Sequence, residues 1–331
     1  MAALLLTRAP LCVATCPLPV SSLPPLCTPR RVTMRPTDDR EIPPVWRSIL
    51  FIPASSERFI ASAPRQPADA LQIDLEDSVR PEDKERARAA VMPAARQFRA
   101  HRKDVIVRVN RAWRWLVRDL ESSVCAEVGT VTLPKVPDAG FVRSVAEVLA
   151  DLEVERGLPS GHTRLLAMVE DVEGLHQIDA IAVAHERLLG ITIGSEDLAL
   201  SLRTALDGEA LLHAHLQLLK AARRADIMAF GFVGSVADYT DLDRFRAQII
   251  HARALGFEGA FCIHPAQLAI LNEGFSPTAA EYAAALELRA ASGQARDDGR
   301  GAFAYKGRMV DRPIIERALR TIEGFERLRA T

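Results

Sequence analysis

Two short apolar runs in this chain end abruptly in acid. Leu165-Leu166-Ala167-Met168-Val169 leads into Glu170, and Gly190-Ile191-Thr192-Ile193-Gly194-Ser195 leads into Glu196 and Asp197. A carboxylate placed directly after a buried parallel strand stands at the carboxyl edge of the sheet, where α/β folds bind their ligands. On neighbouring strands, Glu170 and Asp197 can share one hard cation such as Mg2+, which takes oxygen donors. The alternative is that both acids simply begin the helices that follow, since Asp and Glu suit helix starts.

Other apolar runs also stop at chemically useful residues. Asp74-Leu75-Glu76-Asp77-Ser78 packs its acids closely after one run. In Val107-Arg108-Val109-Asn110 the polar side chains alternate with valines, so Arg108 and Asn110 share one face. If that face lines a barrel, an unpaired Arg108 is costly. It therefore implies an anionic ligand or an ion pair, for which Glu76 is the candidate. Leu133-Pro134-Lys135 and Ile263-His264-Pro265 place another cation and an imidazole at strand ends, His264 being either structural or catalytic. Such a set suits an oxyanion-forming reaction of a carboxylated substrate. A divalent ion on Glu170 and Asp197 would polarise a carbonyl or hydroxyl. Arg108 would clamp a carboxylate or stabilise an enolate. No Ser-centred elbow, reactive-looking Cys or apolar-strand Lys offers a nucleophile, so carbon–carbon cleavage through a metal-stabilised enolate is the simplest chemistry.

The elements that must position these groups follow from periodicity. Short strand-like runs at 48–52, 70–73, 105–109, 130–133, 165–169, 190–193, 229–232 and 260–263 alternate with longer Ala- and Arg-rich helical stretches. Strands separated by helices mean βαβ units and a parallel sheet. Eight such units in about 230 residues predict an α/β fold of the closed (β/α)8 TIM-barrel type. A doubly wound open sheet is the runner-up, without the Gly-rich first turn it usually shows. Beyond the eighth strand the pattern predicts a helix over 278–291, a polar Gly-containing loop over 292–301 and a last helix from about 312 to 329. That surplus packs beneath the barrel or reaches over a mouth, its own or a neighbour's.

With 331 residues, 48% of them hydrophobic, the chain can bury one large core. A formal charge of −1 gives no general attraction to nucleic acid or anionic membrane. No apolar run reaches transmembrane length. Cys125 and Cys262 lie in apolar surroundings and read as inert buried thiols, and no spacing suggests zinc or a disulfide framework. A reducing cytoplasm fits. The expected organisation is a leader over 1–44, a catalytic barrel over 45–277 and a C-terminal helical extension and lid over 278–331. The leader has no acid before Asp38, and reads as a disordered segment or a start assigned upstream of Met34, organellar targeting being the alternative.

Several of these motifs together resemble the citrate lyase β-subunit-like and malyl-CoA lyase group of the HpcH/HpaI aldolase superfamily. The resemblance runs from Arg47 to about Arg320. It is carried by Arg47-Ser48-Ile49-Leu50-Phe51-Ile52-Pro53, the Asp74–Val79 acidic strand end, Val107-Arg108-Val109-Asn110 and Leu133-Pro134-Lys135-Val136. Its most diagnostic run is Gly256-Phe257-Glu258-Gly259 with Ile263-His264-Pro265-Ala266-Gln267 and Asn272-Glu273-Gly274-Phe275-Ser276-Pro277. Gly307-Arg308-Met309-Val310-Asp311-Arg312-Pro313, following Gly301-Ala302-Phe303, resembles the lid motif. The resemblance implies a homotrimeric or hexameric lyase requiring Mg2+, or alternatively Mn2+, that acts on a CoA thioester and releases an α-keto acid. It implies Glu170 and Asp197 as metal ligands, with Glu76 and Asp77 holding metal-bound waters. Arg108 would bind the thioester carbonyl, and the backbone of Gly194, Ser195, Glu196 and Asp197 the keto-acid carboxylate. Asp311 would protonate the enolate carbon in an adjacent subunit, although Asp before Arg-Pro is also an ordinary helix start. The alternatives are a β subunit acting on an acyl-carrier thioester inside a citrate lyase complex, and a CoA-independent hydroxy-keto-acid aldolase. Two departures stand out: Ala54 follows Pro53 where relatives commonly have Gly, and Val233 stands where relatives often carry Asp. The second puts the keto acid's identity in doubt.

Overall fold

The computed structural model describes residues 44–206, 208–297 and 301–330. The leader expected over 1–44 lies outside the described residues except for Pro44. Eight strands, β1 (Ser48–Pro53), β2 (Ala70–Asp74), β3 (Asp104–Arg108), β4 (Thr130–Leu133), β5 (Arg164–Val169), β6 (Leu188–Ile193), β7 (Met228–Phe230) and β8 (Ala260–Cys262), pair in parallel. Each neighbours the next in sequence from β1 to β7, and β8 returns to β1. A parallel bridge between Phe230 and Gly259 joins the two ends of the sheet. There the Gly231 N–H donates to the Gly259 carbonyl at 2.9 Å and the Glu258 N–H to that of Ala229 at 3.0 Å. The eight-stranded barrel stands, and the open sheet does not.

Alternation along the strands makes two cores. Leu50, Leu71, Ile73, Val105, Val107, Val131, Leu133, Leu165 and Ala167 face the surrounding helices. The intervening positions Ile49, Ala70, Ile106, Leu166, Phe230 and Phe261 form a separate cluster with Trp46, the apolar floor of the barrel interior. Moving two residues at a time towards the strand ends, the interior turns polar. Gln72 and Thr132 come next, joined by a 2.6 Å hydrogen bond, and Asp74, Arg108 and Glu170 follow at the rim.

The C-terminal segment differs from expectation in one place. The helix Ala279–Asp297 continues through Ser292 and Gly293, where a loop was expected. Ala295 is buried, and this packing outweighs the roughly 1 kcal/mol that a helical glycine costs. An antiparallel hairpin follows (Phe303–Tyr305 with Arg308–Val310), its turn made by Lys306 and Gly307, both at positive φ. The last helix, Arg312–Ala330, packs on Ala279–Asp297 through Ala285, Ala318 and Ile322, and Tyr282 stacks on Phe325 at 4.2 Å. Among the described residues no helix is long and apolar enough to cross a membrane.

Candidate active site at the carboxyl end of the barrel

Strand register brings Arg108 level with Asp74, its Cα partner on β2. The guanidinium takes that carboxylate in a fork, Nε to Oδ1 at 2.7 Å and Nη2 to Oδ2 at 2.8 Å. Its remaining nitrogen, Nη1, reaches Glu76 Oε2 at 3.0 Å, and the group lies 4.9 Å from the Phe51 ring centroid. The expected pairing with Glu76 is therefore present, but Asp74 is the stronger partner. Asp74 is one of the strand-end acids, but the sequence motifs alone do not single it out for the site. Its spacing from Ala70 and Gln72, two residues at a time, was the available signal. Burial works against both ions of the Asp74–Arg108 pair. Their mutual attraction wins, holding Asp74 below the usual carboxylate range and Arg108 above its ordinary value. Three of the five guanidinium N–H groups serve the two carboxylates, which leaves two for a substrate oxygen.

Glu170 follows β5 and is buried. It does not begin the next helix: Asp171 does, its Oδ1 accepting the Gly174 N–H at 2.7 Å. Glu170 instead accepts the Lys135 N–H at 2.7 Å. Its space is supplied by Gly194, because a Cβ there would stand 2.3 Å from Glu170 Oε1. Burial pushes the Glu170 carboxyl up to about 7, the nearby Arg108 opposing and Glu76 adding to the rise. Glu76 is likewise raised, chiefly by burial.

Asp197 lies in the first turn of the helix Ser195–Leu202, for which Gly194 is the N-cap. Its Oδ2 is 3.5 Å from Lys135 Nζ, which also meets Glu76 Oε1 at 2.8 Å and Asp77 Oδ2 at 3.3 Å. Four carboxylates (Asp74, Glu76, Asp77, Asp197) thus meet two cations, Arg108 and Lys135, and Glu170 joins them through the Lys135 backbone N–H. Glu196 turns away from the cluster and accepts a hydrogen bond from Ser235 Oγ. Ser195 starts the helix without a side-chain role in the cluster.

The donor set suits a hard divalent ion. The donors are all carboxylate oxygens, they outnumber the cations, and burial raises the carboxyls of Glu170 and Glu76. Among the described residues no three His, Cys, Asp or Glu side chains converge as a ready-made metal cage. Mg2+ commonly takes one or two carboxylates and completes its octahedron with water and substrate.

On the other side of Arg108 opens a cavity of about 650 Å3. Asp74, Ser78 and Arg108 line it, together with an apolar wall that includes Phe51, Ile52, Phe59, Val236 and Ile263. Arg58 and His264 supply the remaining charge-capable lining. His264 Nδ1 accepts the Ala266 N–H at 3.2 Å, and its ring stacks on Tyr239 at 4.7 Å, so it has a structural job. Val233 packs against the main core and is not in this lining, whereas Val236 is.

With that geometry in view, residues 47–265 match the HpcH/HpaI aldolase/citrate lyase family. The chain belongs to it. The chain is 37% identical over 275 residues to citrate lyase subunit beta of Escherichia coli (strain K12), covering 82% of this chain and 90% of that protein. It is 31% identical over 295 residues to an L-malyl-CoA/beta-methylmalyl-CoA lyase of Rhodobacter capsulatus, covering 82% of this chain and 92% of that one. Among solved structures it resembles the CitE protein of Mycobacterium tuberculosis in complex with magnesium, acetoacetate and coenzyme A. The TM-score is 0.66 at 28% identity, over 84% of this chain and 97% of that one.

Asp311 stands apart from this family site. It is exposed, directly after the hairpin, and its carbonyl accepts the N–H groups of Ile314 and Ile315 at the start of the last helix. It does not line the cavity of its own chain. Cys125 and Cys262 are buried, and burial raises both thiols, as expected of inert cysteines.

Proposed function

We propose that the chain is a Mg2+-dependent carbon–carbon lyase that cleaves a 3-hydroxyacyl-CoA of the malyl-CoA or citryl-CoA type, or runs the reverse condensation. One observation carries this reading: a partly buried, orientation-locked Arg108 stands between an oxygen-rich carboxylate cluster and an apolar cavity of about 650 Å3. The coenzyme A of the mycobacterial relative supports a thioester arm in the cavity here, and its magnesium supports an ion on Glu170 and Asp197. When bound, that ion polarises the substrate's hydroxyl and carboxylate and lowers the hydroxyl's pKa.

The chain's own residues do the rest. Arg108 presents its two remaining N–H groups to the thioester oxygen, where negative charge develops as the carbon–carbon bond breaks. Because Asp74 and Glu76 already fix the guanidinium, little reorganisation is needed at that moment. Glu76 and Asp77 hold and orient water at the cluster's edge. The backbone N–H groups at Ser195, Glu196 and Asp197 face a carboxylate at the helix start, where the helix dipole favours an anion. Contrary to the sequence expectation, the Gly194 N–H is not among them, since it donates to the Val169 carbonyl at 3.0 Å. The enolate carbon needs a proton, and Asp311 from an adjacent copy supplies it, since its own cavity does not contain it. This reading makes the protein a homotrimer or hexamer of the cytoplasm, organised as a leader, a barrel over 45–277 and a lid over 278–331.

A panel of malyl-, methylmalyl- and citryl-CoA with Mg2+, followed by release of acetyl- or propionyl-CoA, tests the proposal. Turnover that chelation abolishes supports it, and silence on all three overturns it for free CoA esters. The match to a citrate lyase β subunit favours a second reading, action on an acyl-carrier-bound citryl thioester within a complex. Activity that appears only with carrier-bound substrate would favour that one.

A further inference from the structure

The proposed chemistry leaves Lys135 without a role, yet its position is built from both ends. Its backbone sits at φ 50°, in the left-handed region that side chains other than glycine rarely adopt. Its N–H donates to Glu170 Oε2 at 2.7 Å, and its carbonyl accepts from Arg111 Nε at 3.1 Å. Arg111 is itself seated 4.1 Å from the Phe141 ring centroid. The turn so fixed directs the ammonium into the carboxylates of Glu76, Asp77 and Asp197. Those acids come from the loop after β2 and the helix after β6, so one ammonium from the end of β4 joins three parts of the rim.

The two cations of the cluster differ in what they can do. Arg108 is locked by a fork to Asp74, a bond to Glu76 and the Phe51 ring. Lys135 is a point charge on a four-carbon stem with three rotatable donors, and its side chain is 34% exposed. It can leave without backbone movement. Its contact to Asp197, at 3.5 Å, is the longest of the three and exceeds hydrogen-bond length.

We propose that Lys135 is the internal counter-cation of the metal-free protein: its ammonium holds Glu76, Asp77 and Asp197 together, and a divalent ion binding at Asp197 displaces it from that carboxylate. The inference rests on the reading of Glu170 and Asp197 as metal ligands. An ammonium and a divalent ion sharing a carboxylate repel each other, so Lys135 competes with the metal and sets its affinity. Its charge also offsets the repulsion among the clustered acids.

The test uses the full chain and Mg2+ alone. In the wild-type protein, acetylation of each lysine by acetic anhydride is followed by mass spectrometry with and without Mg2+. Lys135 is expected to be slow to react without metal and to speed up about threefold or more at saturation, while buried Lys84 stays protected. Calorimetric titration of Lys135→Met is expected to show Mg2+ bound at least about tenfold more tightly than by wild type. Unchanged or greater protection of Lys135 on Mg2+ loading, or equal or weaker binding by the variant, overturns the proposal. Should Lys135→Met not fold, the labelling of wild type decides alone. Wild type and Asp197→Asn binding Mg2+ equally would overturn the ligand assignment as well. Mg2+ binding that depends on Asp197 but leaves Lys135 labelling unmoved overturns only the counter-cation.

Discussion

Replacing Gly194 with alanine isolates the steric basis of the site. The backbone there, at φ −80° and ψ 94°, suits alanine, so any loss comes from the new methyl group. That Cβ would lie 2.3 Å from Glu170 Oε1, 2.6 Å from its Cγ and 2.8 Å from its Cδ. An ordinary contact needs about 1 Å more, and Glu170 cannot yield freely because the Lys135 N–H holds it at 2.7 Å. Overpacking of this kind costs about 1–3 kcal/mol, and losing a hydrogen bond to a charged group adds about 1.5–3 kcal/mol. The metal-free Gly194→Ala protein should therefore lose about 2.5–6 kcal/mol in urea unfolding. Displacing Glu170 should also weaken Mg2+ binding by about tenfold or more in calorimetry. The decisive comparison is a double-mutant cycle. In a Glu170→Ala background the methyl enters vacated space, so the coupling between the two substitutions should be about 1–3 kcal/mol. A coupling below about 0.5 kcal/mol would refute the claim that this glycine exists to seat Glu170.

Three further outcomes are expected. Burial raises Glu170 from its ordinary 4.5 to about 7. The folded metal-free chain thus retains a proton that the unfolded chain releases, and its stability falls by about 3 kcal/mol as pH rises across that window, levelling off above it. Glu170→Gln should flatten this slope in pH-dependent unfolding. Apparent Mg2+ affinity of the wild type should climb roughly tenfold between about pH 6 and pH 8. Asp311→Asn and Arg108→Ala should each cut lyase turnover by about 100-fold or more. Mixing the two should restore part of it, because some mouths then combine an intact Arg108 with a neighbour's intact Asp311, and failure to complement rules out action in trans. Lys84 is buried, its ammonium donating to the carbonyls of Leu75 and Glu76 at 2.6 and 2.7 Å and to Asn110 Oδ1 at 2.8 Å. Lys84→Met strands three acceptors beneath the acidic turn and should cost about 3–5 kcal/mol in urea unfolding.

Much of this protein is legible in one dimension. Eight apolar runs at barrel spacing, separated by helix formers, specify parallel strands, because only that arrangement buries strand and helix faces together. The same logic puts Glu170, Asp197, Arg108 and Lys135 at one rim, since every parallel strand ends on the same side. Period-two alternation even says that Arg108 faces inward. The partners of those residues came only with the tertiary structure, because they depend on stagger between strands and on turn geometry. Sequence spacing cannot show that β2 and β3 align Asp74 with Arg108. Nor can it show that a left-handed turn at Lys135 sends an ammonium among three acids, or that Gly194 stands where a side chain would strike Glu170. The helix through Gly293 shows the same limit: local propensity disfavours it, yet the chain stays helical there and Ala295 beyond it is buried. The sequence alone determines which groups gather at the mouth, since hydrophobic period sets strand and face. Which group touches which is decided by register and packing, which act between residues far apart in the chain.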